Sequence, residues 1–300
     1  MPRILLLGKY GQVGRELQRS LAPFGDLTAW GREEADLTDL AGLESTVRRH
    51  APHVIVNAAA YTAVDKAETD RATAFRVNSE AVELLARIAA QRQAWLIHYS
   101  TDHVFEGESS TAYRETDPVA PPNVYGASKL AGEEAVRRSG CRHLVLRTSW
   151  VYGPDGGSFA RAILKLARER VSIEVVADQT GAPTGAGLIA DVTAQCLHRL
   201  LTDRVLADTA SGTYHLVAGG KTSRHEYARY LVRQAIAVGL PLKTTPERVL
   251  PVPTSAYPAA ARRPANSQLD TAKLRATFGV TLPDWQPGVR GLVSGLIARE

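Results

Sequence analysis

The stretch that decides the fold is Ile4-Leu5-Leu6-Leu7-Gly8-Lys9-Tyr10-Gly11-Gln12-Val13-Gly14. A short apolar run ends in glycine, and Gly11 and Gly14 follow at steps of three. Gln12–Leu21 then carries a helical pattern. Glycines between a strand and a helix permit a tight turn and close approach of a pyrophosphate. The free N–H groups at the helix start then face that anion. The spacing is G-x-x-G-x-x-G rather than G-x-G-x-x-G, so the strand-to-helix context carries the reading of Gly8, Gly11, Gln12, Val13 and Gly14 as a dinucleotide cradle.

Working outward, strand and helix patterns alternate. Leu27–Trp30, Val54–Ala60, Trp95–Thr101 and Leu144–Val151 read as strands, and Leu40–His50, Ala72–Gln91 and Tyr125–Arg138 as helices. Such alternation predicts an α/β fold, a Rossmann-type doubly wound parallel sheet with right-handed crossovers. The second half is less regular. Phe159–Arg168 and Leu188–Leu201 read as helices, Ile173–Ala177 and Tyr214–Val217 as strands. Ser223 and Glu226 form a capping-box signature for a helix to about Val238. Prolines crowd from Pro241 to Pro264, which excludes a regular sheet core there and predicts a loop-rich, smaller C-terminal α/β substrate lobe. The division expected is residues 1–153, rejoined by about 186–220, for the dinucleotide, and about 154–185 with 221–300 for the substrate.

Composition narrows the class. The chain has 300 residues, 44% of them hydrophobic and 22% charged, enough for a large core without staples. Cys141 and Cys196 are its two cysteines, which excludes a disulfide framework and favours a reducing compartment. No stretch approaches the ~18 apolar residues of a membrane span, and the start lacks a secretory core, so a cytoplasmic location without membrane partners is expected. The net charge of +5 comes from 29 Arg and 7 Lys against 31 acids, and the basic residues are scattered rather than gathered. Nucleic acid is therefore not an expected partner. The histidines show no ligand spacing, so no metal site is expected from them.

Two further motifs carry chemistry. Tyr125-Gly-Ala-Ser-Lys129 places a phenol and an ammonium one helical turn apart on the same face. A free phenol has a pKa of about 10, and bringing it to about 7 requires roughly 4 kcal/mol. One cation about 5 Å away, at an effective dielectric of about 20, would supply roughly 3 kcal/mol. The expectation is a phenol acidified by Lys129. Ser100-Thr101-Asp102 ends a strand candidate, where open α/β sheets bind ligands. At the tip of the second strand the chain reads Trp30-Gly31-Arg32. A carboxylate is missing there and an arginine follows, which favours a 2′-phosphate and hence NADPH over NADH.

Taken in order, Gly8–Leu17, Val56–Glu68, His98–Phe105, Val124–Glu133, Arg147–Gly153, Asp178–Thr184, Tyr214–Ala218 and Ala261–Leu269 resemble the extended short-chain dehydrogenase/reductase family from end to end, in its nucleotide-sugar branch. The resemblance implies NAD(P)H-dependent reduction of the C4 keto group of a dTDP-sugar, dTDP-4-dehydro-L-rhamnose. It implies a catalytic set of Tyr125, Lys129 and Thr101, with Asp36 and Leu37 beside the adenine and Ala60, Tyr61 and Thr62 along the nicotinamide half. Asp102 and Trp150 would meet the sugar, and Arg262, Asn266 and Ser267 the dTDP end. His103 stands where the family's block more often has Tyr, and Tyr61 where His is also seen. Some relatives hold Mg2+ at a dimer interface through glutamates; no ligand of this chain maps onto them, so metal and a homodimer stay open. Two other readings share the scaffold: an epimerase or dehydratase, and a non-enzymatic regulatory subunit of the methionine adenosyltransferase type.

Overall fold

The computed structural model describes residues 1–297. Six strands build one all-parallel sheet: β1 (Arg3–Leu7), β2 (Asp26–Trp30), β3 (Val54–Asn57), β4 (Trp95–Thr101), β5 (Arg142–Thr148) and β6 (Gly212–His215), in the order β6-β5-β4-β3-β1-β2. All seven residues of β4 are buried. Strands covered on both faces read as continuous apolar runs, as Ile4–Leu7 does.

The two faces are legible in β1 alone, because strand side chains alternate. Ile4 and Leu6 join a cluster with Leu17 and Leu21 of α1 (Gln12–Leu21) and Ile189 and Leu197 of the helix Ala186–Thr202. Leu5 and Leu7 point the other way, onto Leu43 and Val47 of α2 (Leu40–His50) and Leu85 and Ile88 of α3 (Ala81–Arg92). The order of strands reverses between β1 and β3, so the crevice at their carboxyl ends lies beside Gly8 and Ala58.

The expected helix Ala72–Gln91 is interrupted. It runs as Arg71–Phe75, a π-helical turn Arg76–Glu80, and Ala81–Arg92. The turn lets Asn78 reach the site described below, and π-bulges recur at such places. Periodicity alone does not register one inserted residue. The helix α4 (Val124–Arg138) crosses this turn closely: a Cβ at Gly132 would collide with the Asn78 carbonyl oxygen.

A third apolar cluster underlies the second half, joining Ile163 and Leu164 of the helix Phe159–Glu169, Tyr227 and Leu231 of the helix Arg224–Ala237, and Trp285 and Val289 of the helix Trp285–Ile297. Ser223 caps its helix as expected, its Oγ accepting from the Glu226 N–H at 3.0 Å. The proline-rich segment holds a short strand, Val249–Val252, paired in parallel with Ile173–Val176 in a two-stranded sheet. Pro251 is tolerated because the strand is paired on one side only. Among the described residues, no helix is long and apolar enough to cross a membrane.

Candidate active site

The cradle follows from backbone geometry. Gly8 has φ +87°, and a Cβ there would sit 2.7 Å from the Ala59 nitrogen. A Cβ at Gly14 would collide with the Gly8 carbonyl oxygen. Only glycine fits these two places, so the turn lies tight against the start of the loop after β3. Gly11 caps α1 with extended backbone and without a side-chain acceptor, which leaves the first N–H groups of the helix open to an anion. Gln12 Nε2 donates to the Gly157 carbonyl at 3.2 Å, while its Oε1 is buried without a partner, an acceptor waiting for a donor. Val13 packs against the first core cluster. At the β2 tip, Arg32 is ion-paired with Asp36 at 3.0 Å and its side chain is 80% exposed. Asp36 also accepts from the Thr38 N–H and hydroxyl, both at 2.8 Å, and Leu37 is buried in the second cluster.

After β3 comes Ala60-Tyr61-Thr62. Asn78 in the π turn holds this loop: its Oδ1 accepts from the Tyr61 N–H at 2.9 Å, and its Nδ2 donates to the Tyr61 carbonyl and the Ser128 Oγ, each at 3.0 Å. The Tyr61 hydroxyl donates to Asp70 at 3.1 Å.

The catalytic candidates converge at the end of β4. Thr101 is its last residue, and its Oγ1 donates to Asp102 Oδ1 at 3.0 Å. The second oxygen, Asp102 Oδ2, is buried and unpartnered. Tyr125 lies in the first turn of α4, with the His103 ring edge-on at 5.5 Å. Asn123 caps that helix through the Gly126 N–H at 2.8 Å and so fixes where Tyr125 points. Lys129, 2% exposed, lies one turn further along α4, its Nζ 3.3 Å from His98 Nε2 of β4.

The expected acidification of Tyr125 is absent from the free chain. Burial pushes the phenol up to about 12, the Thr101 hydroxyl pulls it down, and the Asp102 charge pushes it up. The physical reason lies with Lys129, which points toward His98, and whose own pKa is drawn down to about 8 by burial against the pull of Glu133. The cation that was to acidify the phenol is itself costly to keep charged.

A cavity of about 720 Å3 opens next to this cluster, lined by Glu106, Phe159, Tyr257, Arg224, Arg262 and Arg263 among others. Arg263 makes two hydrogen bonds to Asp65, at 2.8 and 2.6 Å, and Arg262 is ion-paired with Glu108. Arg224 instead stacks on Trp150, its Cζ 3.7 Å from the ring centre. Trp150 takes φ 46° and is wedged against Gly181, where a Cβ would come within 2.8 Å of the indole.

A family model described as the RmlD substrate binding domain matches residues 2–297. A Shigella flexneri dTDP-4-dehydrorhamnose reductase is 48% identical over 299 residues, 98% of this chain and 97% of that protein. One from Escherichia coli K12 is 47% identical over 297 residues, 98% of this chain and 97% of that protein. The chain belongs to the dTDP-4-dehydrorhamnose reductase family. Among solved structures, a member of this reductase family from Bacillus anthracis in complex with NADP superposes with a TM-score of 0.86 at 33% identity, covering 97% of this chain and 98% of that one. A Thermus thermophilus UDP-glucose 4-epimerase in complex with NAD, 21% identical with a TM-score of 0.79 over 99% of this chain and 100% of that one, shares the fold.

Within this reductase-family chain, two residues named for the dTDP end are occupied with structure. Asn266 donates to the Ser109 and Thr111 carbonyls at 2.9 and 2.7 Å and accepts from Gln268 N–H and Nε2, leaving its amide no free donor. Ser267 is 3% exposed, its N–H donating to the Thr180 carbonyl at 2.8 Å. Both shape the loop 107–111 and its neighbour strand. Sequence reasoning missed Arg224, Asn78, and the pair Glu133 and Arg147. Arg224 follows the capping Ser223 directly, and nothing in the sequence sets its charge apart from the other scattered arginines. Burial draws its pKa down to about 10, with the Asp102 charge acting against this.

Proposed function

We propose that the chain reduces the C4 keto group of dTDP-4-dehydro-L-rhamnose to dTDP-L-rhamnose, with NADPH as reductant and NADH as a weaker substitute. One observation carries the reading: Tyr125 pairs with Thr101 at the end of β4, and Lys129, one helical turn along from Tyr125, connects through His98, Asn57 and Ala59 to the glycine turn at Gly8. A pyrophosphate fits the free N–H groups after Gly11, beside Gln12, Val13 and Gly14. Arg32, exposed beyond β2, would exchange Asp36 for the 2′-phosphate, and Ala60, Tyr61 and Thr62 would line the nicotinamide half. When bound, the reduced nicotinamide supplies a hydride to the substrate carbon.

The rest falls to this chain's side chains. Tyr125 is fully protonated at neutral pH, as a proton donor must be, and gives its proton to the oxygen at C4. Thr101 orients that oxygen. Lys129, one helical turn on, is the cation of this face that stabilises the phenolate left behind. Asp102 Oδ2, buried and unpartnered, accepts from a sugar hydroxyl. Trp150 packs on the sugar, while Arg224, Arg262 and Arg263 offer donors to the diphosphate in the lobe of about 154–185 and 221–300. Mixing the purified chain with NADPH and the dTDP-ketosugar should bleach the reduced-nicotinamide absorbance. A folded chain that binds both and bleaches nothing contradicts the proposal.

A further inference from the structure

A buried chain of three polar side chains runs from the loop after β3 to Lys129. The Ala59 N–H donates to Asn57 Oδ1 at 3.2 Å, which fixes the orientation of the Asn57 amide. Its Nδ2 then faces His98 Nδ1 at 3.2 Å, and His98 Nε2 faces Lys129 Nζ at 3.3 Å. Asn57 is 1% exposed, His98 0% and Lys129 2%, so bulk solvent does not reach these contacts.

Donor counting fixes the protons. An amide nitrogen only donates, so His98 Nδ1 must accept. A neutral imidazole whose Nδ1 accepts carries its proton on Nε2. That N–H points at Lys129. An ammonium there would set N–H against N–H, whereas a neutral amine would accept the bond.

We propose that His98 is a positioning residue which, with its tautomer locked by Asn57, favours the neutral amine of Lys129 in the free enzyme beyond what burial alone does, and that Lys129 takes up a proton from solvent and becomes a full ammonium when it turns away toward the cofactor ribose and Tyr125. This deepens the reductase reading and takes from it only the role of Lys129. Burial, the largest cause, already holds the His98 ring well below its ordinary value, and any charge on Lys129 lowers it further, so the ring is neutral in either state of Lys129.

The other charges around α4 do not alter the count. Its own helix brings Tyr125 and Glu133, and the Glu133 carboxylate is matched by Arg147 of β5 and by Arg137. The turn after β4 brings Asp102 and His103. The helix Val64–Ala67 brings Asp65, held by Arg263, and Lys66, and the following residue Glu68 accepts from the Val124 N–H. The helix Arg71–Phe75 brings Arg71, which lies over the Phe75 ring, the π turn brings Arg76 and Glu80, paired with each other at 2.8 Å, and the helix Ala81–Arg92 brings Glu83, Arg92 and Arg87, the last paired with Glu44 at 3.2 Å.

The test uses the full chain without cofactor, labelled with 15N-histidine and with 13C,15N-lysine, so it reads the lock whether or not the chain proves to be a reductase. His98, assigned through the signal lost in His98→Gln, should show a protonated Nε2 and a bare Nδ1 near neutral pH. Lys129 should titrate below the surface lysines. In Asn57→Asp the carboxylate should draw the ring proton to Nδ1, free Nε2 to accept from an ammonium, and raise the Lys129 midpoint by about 1–3 pH units. A wild-type ring protonated on Nδ1, or on both nitrogens, overturns the proposal. So does an Asn57→Asp chain, folded by its spectrum, in which the ring proton stays on Nε2 or the Lys129 midpoint stays in place.

Discussion

Arg147 grips Glu133 with two hydrogen bonds, Nε to Oε1 at 2.8 Å and Nη2 to Oε2 at 2.6 Å, with 3% and 0% of the side chains exposed. This bidentate pair ties α4, which carries Tyr125 and Lys129, to β5. Burial pushes the Glu133 carboxyl up, but the guanidinium outweighs it and keeps the group charged. Removing one partner strands the other charge in the interior. Glu133→Gln should therefore cost about 3–5 kcal/mol of unfolding free energy, and replacing both residues with apolar ones should recover much of it. Denaturant melts of the single and double variants decide this; a harmless Glu133→Gln contradicts the clamp.

Tyr125→Phe removes the proton donor of the proposed reaction and little else, since the ring keeps its packing beside His103. The rate constant for reduction should fall by about 10²–10⁴. NADPH affinity, read by fluorescence titration, should stay within about twofold, because the proposed cradle is the glycine turn and not the phenol. Equal loss of binding and rate would move Tyr125 out of the proton-donor role.

Gly14→Ala should show the opposite split. Its Cβ would strike the Gly8 carbonyl oxygen, a backbone atom that cannot swing aside, so the turn must open. Cofactor affinity should drop by at least about tenfold while the fold persists, seen as a weak NADPH titration on a chain with near-native circular dichroism. Unchanged affinity would place the pyrophosphate elsewhere.

Most of the frame was legible because burial on both faces of a parallel sheet writes itself into sequence as apolar runs such as Ile4–Leu7 and Val54–Val56. The glycine spacing, the Tyr125–Lys129 step and the cap at Ser223 are local, and local rules found them. What depended on contacts between distant segments was not legible. The π turn inserts one residue to bring Asn78 to Tyr61, a pairing across 17 positions. The Arg147–Glu133 clamp and the Arg224–Trp150 stack join residues that no periodicity relates. The Tyr125 acidity went astray for the same reason. Helical spacing placed a cation on the right face but gave no sign that Lys129 turns to His98, nor of what burial does to both groups.

His215 gives the pH dependence of stability. It is 0% exposed, and burial first, then the Arg147 charge, bring its pKa down to about 3. Between its ordinary value of about 6.5 and this folded value, the unfolded chain takes up the proton and the folded chain refuses it. Stability should therefore fall as pH drops through that window, by about 1.4 kcal/mol per pH unit for this one group. His98, also lowered, adds in the same direction. Urea midpoints between pH about 6.5 and 4 should show a shallower slope in a folded His215→Asn chain; an identical slope would assign the acid sensitivity to other groups.

The most direct measurement is the stoichiometry and stereochemistry of one reaction. Incubated with NADPH and dTDP-4-dehydro-L-rhamnose, the chain should oxidise one NADPH for each dTDP-L-rhamnose formed, with the hydroxyl at C4 in a single configuration. Product formed without net NADPH oxidation, as an epimerase would give, or a C4 hydroxyl of mixed configuration, would contradict the account.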